Sequence, residues 1–339
     1  MARVLVAALV AMIISILAGP TFINFLRRNE FGQQIRAEGL EHHQEKQGTP
    51  TTGGLLIILA AAIAFLSTSA YTLPALTIFG TFVACGAVGF LDDFIKLRHK
   101  RSLGLQGRWK MALLLGITVV IGIAAHHQEL RTDVFVPIVD VWVPLGWGWY
   151  VLLFLIIAGA TNGVNLTDGV DGLAAGTCII ALFTFTAMAV TIYIRSAGPG
   201  QPRIGTRLDA AFIGAAIIGA AIGFLWFNAF PAEVFMGDTG AMAMGGALAA
   251  MAIFLKVELL LILVGGIFLI EAASVILQVV SFKYWGRRIF LIAPIHHHFE
   301  MKAWSGTKIM VRFWIVTGIL CAAGFALFYK YWPTIRPSA

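Results

Sequence analysis

The sequence predicts an all-α, polytopic integral membrane protein of about ten transmembrane helices. Three observations carry this reading. Of the 339 residues, 59% are hydrophobic and only 12% charged, whereas soluble domains stand nearer a quarter charged. Apolar runs that approach or exceed the ~18 residues of a spanning helix recur along the chain. Lys and Arg then collect in alternate loops between those runs.

The runs fall at about 4–24, 53–71, 73–91, 111–127, 149–160, 172–194, 210–229, 239–255, 257–281 and 309–331. The first resembles a signal peptide, but no small-residue cleavage site precedes a soluble segment, so it reads as a retained helix. The fifth is short and is expected to borrow flanking residues. An even number of spans places both termini on one side. Arg27, Arg28, Arg36 and Lys46 follow span one, and Lys96, Arg98, Lys100, Arg101, Arg108 and Lys110 follow span three. Lys283, Arg287, Arg288, Lys302 and Lys308 follow span nine, while the opposite loops hold chiefly Arg131, Arg195, Arg203, Arg207 and Lys256. The positive-inside rule therefore makes the richer loops cytoplasmic and turns both termini outward. On the outer side, β-branched alternation between Gly and Pro in 128–148 predicts a short hairpin. Gly219 and Gly223, at helical spacing, serve helix packing. With no composition break, internal repeat or low-complexity tract, the chain is one transmembrane domain, 1–339.

Composition also excludes other classes. Cys85, Cys178 and Cys321 all lie within apolar runs and read as packing residues, not a disulfide or zinc set. The net charge of +7 forms no basic face with interleaved aromatics, so nucleic acid is not a partner.

The polar motifs carry the chemistry. "GFLDDFIK" places Asp92 and Asp93 at the cytoplasmic end of span three, with Lys96 four residues after Asp92 on one helical face. "TNGVNLTDGVDGLAAG" brings Asn162, Asn165, Asp168 and Asp171 to the same depth two spans later, "FNAFPAEVFMGD" adds Asn228 and Asp238, and "APIHHHFE" adds His296, His297 and His298. A single acid at such a boundary can be a helix cap. Clusters returning to one face after every second span point to a site. Hard oxygen ligands favour Mg²⁺ over zinc, with phosphate completing the shell. Three consecutive histidines point in different directions, so one or two contact phosphate, sugar or a proton. "KQGTPTTGG", with Lys46, lacks the Gly-Lys-Ser/Thr of a P-loop. Glu271, inside span nine, is either functional or an interhelical hydrogen-bonding group.

Together, "KQGTPTTGG", "GFLDDFIK", "NLTDGVDGLA", "FLWFNAFPAEVFMGD", "SVILQVVSF" and "RIFLIAPIHHHFE" resemble the polyprenyl-phosphate N-acetylhexosamine-1-phosphate transferase superfamily. The triple histidine is similar to that of its phospho-muramoyl-pentapeptide transferase branch rather than the branch that transfers GlcNAc-1-phosphate. A transporter or flippase is disfavoured because its binding groups would sit near the midplane.

The resemblance implies a ten-helix fold, commonly homodimeric, in the bacterial inner membrane, with the hairpin and both termini periplasmic and the site cytoplasmic. It implies the reaction of undecaprenyl phosphate with UDP-MurNAc-pentapeptide to give lipid I and UMP, with Mg²⁺ required. It implies Asp238 as metal ligand, with Asp92, Asp93, Asp238 and His296 catalytic. Lys46, Lys96, Asn162, Asn165, Asp168, Asp171, Phe235, Gln278, His297 and His298 would bind substrate, Phe235 by stacking on uracil. Either Lys110 or Arg108 supplies a further base. Thr52 and Val170 stand where the family pattern has Met and Leu. Direct attack by the lipid phosphate and a two-step route through a carboxylate both suit these residue types. Adjacent residues on a helix point about 100° apart. Asp92 is therefore expected to face the lipid phosphate, and Asp93 the metal or the sugar-nucleotide phosphates.

Overall fold

The computed structural model describes residues 2–29, 48–99, 101, 103–196 and 208–331. In chain order its elements are α1 (Ala2–Arg28), α2 (Gly54–Thr68), α3 (Leu73–Arg98), α4 (Gly107–His127), β1 (Asp133–Val136), β2 (Val141–Pro144), α5 (Gly148–Thr167) and α6 (Leu173–Arg195). There follow α7 (Asp209–Asn228), α8 (Gly237–Phe254), a 3₁₀ turn at Glu258–Leu260, α9 (Leu261–Val264), α10 (Gly266–Trp285), α11 (Ile295–Met301) and α12 (Gly306–Lys330). Among the described residues nine helices are long and apolar enough to cross a membrane, and α2 is an apolar helix of 15 residues. The ninth expected span is interrupted at Gly265, between α9 and α10.

One expectation of length is corrected: the second span, read at 53–71, is the short helix of 15 residues. The fifth span borrows flanking residues as expected, becoming a 20-residue helix that runs through Asn162 and Asn165 to Thr167. Polar residues ended the apolar run in the sequence, but a helix tip at the edge of the bilayer tolerates them, since its backbone hydrogen bonds are satisfied internally.

Small residues decide which helices are central. The most apolar stretches of α7 and α8 are each 83% buried, against 28% for α1. Their Ala and Gly content lets backbones approach closely. Gly219 on α7 abuts α1, where an added Cβ would lie 1.9 Å from the Ala8 carbonyl oxygen. At the motif-bearing end, α3 meets the start of α8 through Gly89, where a Cβ would lie 2.1 Å from the carbonyl oxygen of Asp238. Gly89→Val is therefore expected to destabilise the protein by ~1–3 kcal/mol or more, because backbone rather than a flexible side chain must yield. A lowered thermal midpoint in detergent checks this, and an unchanged midpoint refutes it.

The hairpin pairs antiparallel with Asp133 opposite Pro144. Two isolated strands are marginal, and here they are tied to the bundle. Lys256 donates to the carbonyls of Arg131 and Asp133 at 2.9 and 2.8 Å and pairs with Glu258 at 2.7 Å. All of this lies at the end of the bundle opposite the motifs.

Candidate active site

The motifs meet at one end. Backbone does much of the placing. Phe235 N–H donates to the Pro50 carbonyl at 2.8 Å, and Gly53 and Gly54 N–H donate to the carbonyls of Phe235 and Met236, each at 2.9 Å. This bridge holds the "TPTTGG" segment against the start of α8 and positions a half-buried Phe235. Gly237 turns the chain into α8 with φ +70°, a conformation that suits glycine.

Asp238, in the first turn of α8, lies opposite the α3 pair. Carboxylate oxygens of Asp92, Asp93 and Asp238 all fall within 4.8 Å of one another. Two lysines offset them. Lys96 Nζ is 2.6 Å from Asp92 Oδ2 and 3.0 Å from Asp238 Oδ1. Lys110 Nζ is 3.0 Å from Asp238 Oδ2 and 3.4 Å from Asp92 Oδ1. Three acids against two bases leave the group with one formal negative charge in excess. An all-oxygen donor set of this size suits a hard divalent cation.

The adjacent aspartates are not equivalent. Asp93 is spent on the N-terminus of α8. Its Oδ1 accepts from Asp238 N–H at 3.2 Å, and its Oδ2 accepts from Thr239 N–H and Thr239 Oγ1 at 3.0 and 2.7 Å. It thus caps a helix from another part of the chain. Asp92 instead meets both lysines, and its Oδ1 accepts from Leu105 N–H at 2.9 Å.

The α5–α6 loop forms the adjoining wall. Asp168, half-buried, ends α5. Burial, and then the carboxylates of Asp238 and Asp93, push its pKa up to about 7. Asp171 is buried and accepts from Ala232 N–H at 3.2 Å. Asn228 clamps the same corner, accepting from Gly172 N–H at 3.2 Å and donating to the Val234 carbonyl at 2.9 Å. Asn162 and Asn165 are half-buried on the last turns of α5, and Asn162 donates to the Ala158 carbonyl at 2.7 Å.

The histidines lie on α11. His296 is buried and meets Glu271 at 3.0 Å. His297 pairs with Glu300, and His298 Nδ1 accepts from Leu291 N–H at 3.1 Å. Gln278 lies on α10 with its amide engaged by the following loop. Its oxygen accepts from Ile289 and Phe290 N–H at 3.0 and 2.9 Å, and its nitrogen donates to the Phe290 carbonyl at 2.9 Å. Lys46 lies outside the described residues.

Sequence reasoning left Lys110 and Arg108 as alternatives. The structure brings Lys110 to the acids, while Arg108 is exposed and lies over the Trp109 ring. Thr239, whose hydroxyl helps hold Asp93, escaped notice because threonine next to "MGD" carries no signal of its own. Lys110→Met is expected to lower turnover by about 10²-fold, the scale for losing one preorganised charge contact. Arg108→Met should change it less than about twofold. Equal losses in a steady-state assay would overturn the choice.

These features define a membrane-embedded transferase. Residues 75–256 match the family model described as glycosyl transferase family 4. The chain is 43% identical to a protein of Halalkalibacterium halodurans, with 98% of this chain and 99% of that one aligned. It is 45% identical to one of Geobacillus kaustophilus and 42% identical to one of Bacillus subtilis strain 168, each over 97% of this chain and 98% of the relative. All three bear the name phospho-N-acetylmuramoyl-pentapeptide-transferase. The chain belongs to the phospho-N-acetylmuramoyl-pentapeptide-transferase family, as its motifs implied, and it is a multi-pass membrane protein.

Proposed function

We propose that this chain transfers phospho-MurNAc-pentapeptide from UDP-MurNAc-pentapeptide to undecaprenyl phosphate, forming lipid I and UMP. In this reading it acts as a single transmembrane transferase domain, 1–339, and as a homodimer, with its site on the cytoplasmic face of the bacterial inner membrane. One observation carries the proposal: three acids and two lysines converge at one end of an apolar bundle, where a lipid-borne phosphate and a cytosolic nucleotide can meet.

The lipid phosphate oxygen bonds to the β-phosphorus of the UDP-sugar. The bridging P–O bond breaks, and its electron pair leaves with UMP. Such transfers need charge neutralisation and in-line placement more than covalent help. Lys96 and Lys110 stand ready for phosphate oxygens, and Asp92, beside both, orients the attacking phosphate. Asp93 fits poorly as a nucleophile because both its oxygens are occupied by α8. Asn165, Asp168 and Phe235 line the nucleotide side. Asp238, with Asp92 beside it, would hold Mg²⁺. When bound, that ion offsets charge on the pyrophosphate as UMP departs.

The test is UMP release by purified protein given UDP-MurNAc-pentapeptide, undecaprenyl phosphate and Mg²⁺, with UDP-GlcNAc as competitor. Release that needs both substrates and resists UDP-GlcNAc is the expected result. No release, or turnover of UDP-GlcNAc instead, would sink the reading.

A further inference from the structure

Glu271 sits within α10, is fully buried, and has no place in the reaction as described above. Its Oε1 lies 3.0 Å from Nδ1 of His296, whose ring is also fully buried. With Glu271 as the acceptor of this bond, Nδ1 is the nitrogen that carries the proton. The bond on one ring nitrogen decides the state of the other. Nε2 is then a bare acceptor, and among the described residues it has no hydrogen-bond partner. Nε2 faces Gly169, where an added Cβ would lie 2.3 Å away. Gly169 directly follows Asp168 and is half-buried at the nucleotide-side loop. The ring of His297 packs against His296 at a centroid distance of 4.0 Å. The imidazole is thus oriented by an acid, braced by a neighbour, and left with one unpaired nitrogen at a point where the chain has no side chain. A buried acceptor without a partner costs free energy until one arrives.

We propose that Glu271 is a positioning residue. It holds His296 with Nδ1 protonated, so that Nε2 accepts a hydrogen bond from a hydroxyl or amide N–H of the sugar-nucleotide substrate over Gly169. The proposal rests on the transferase reading. Glu271 acts through His296 and does not itself touch substrate. Carboxylates that orient metal-ligating histidines are worth about 10–100-fold, and the same scale is the expectation for this pair.

The experiment compares Glu271→Gln, which keeps an acceptor, with Glu271→Met, which keeps volume but not the acceptor. Each is made alone and with His296→Gln, and UMP release and the affinity for UDP-MurNAc-pentapeptide are measured. Glu271→Met should lose about 10–100-fold, with Glu271→Gln substantially closer to wild type. On the His296→Gln background, Glu271→Met should change substrate affinity less than about twofold, since coupled residues do not add. Equal effects of Gln and Met, or losses that multiply in the double variant, overturn the proposal. A second readout needs no Glu271 variant: ¹⁵N spectra of histidine-labelled wild-type protein, with His296→Gln for assignment. They should show His296 protonated at Nδ1 and bare at Nε2, and a proton on Nε2 overturns it. Wild-type protein that releases no UMP would instead refute the transferase reading, independently of the spectrum.

Discussion

Asp238→Asn is expected to abolish turnover, a loss on the order of 10³-fold, while leaving the protein inserted and folded. Asp238 is where the site converges. Its two oxygens each take an ammonium at 3.0 Å, one from α3 and one from α4. It also completes the group of three carboxylates. Asparagine keeps the shape and removes the charge. Two lysines and a would-be cation then share two acids rather than three, and a neutral amide oxygen is a much weaker ligand for a hard divalent ion. The fold should hold, because the Asp93 hydrogen bonds to the backbone of α8 remain, although the two lysine contacts of Asp238 are weakened. UMP release, together with calorimetric titration by Mg²⁺, measures both effects. Near-wild-type turnover at ordinary Mg²⁺ would remove Asp238 from the metal site.

Asp93→Ala and Asp92→Ala should both lose activity, but only the first should lose stability. Truncating Asp93 strips the acceptor from two N–H groups and one hydroxyl at the start of the central helix. Each buried donor left unpaired costs ~1–3 kcal/mol, so the total is several kcal/mol, and Asp238 is displaced with the helix tip. Asp92 is bound chiefly by two flexible ammoniums and one loop N–H. Removing it also takes away one of three crowded negative charges. Thermal midpoints in detergent, with and without Mg²⁺, and calorimetry with UDP-MurNAc-pentapeptide separate the two. Equal midpoint shifts would end the distinction. The expectation was that Asp93 faces the metal or the sugar-nucleotide phosphates; it stands among the three carboxylates, and its hydrogen bonds also fix the tip of the helix that carries Asp238.

The sequence by itself determined the class of fold, the hairpin and the order of the motifs. Those features are local. Lipid admits only segments that satisfy their own backbone, so apolar runs mark the helices directly. Strand alternation and turn residues likewise mark a hairpin within 128–148, and its strands fall at 133–136 and 141–144. The candidate site was legible as a set because a bundle that alternates direction returns every second loop to the same face. What the tertiary structure decided was which groups face one another. Lys110 rather than Arg108 reaches Asp238 across 128 residues of sequence, Asp93 is turned to α8, the amide of Gln278 is engaged by the 289–290 backbone, and Glu271 pairs with His296. Charge and spacing bring these residues to one end of the bundle but leave the rotation of each helix free. That rotation is set by close packing of small residues, such as Gly54 against Gly240 and Gly89 against the Asp238 backbone. Such contacts join distant parts of the chain, and no local pattern in the sequence encodes them.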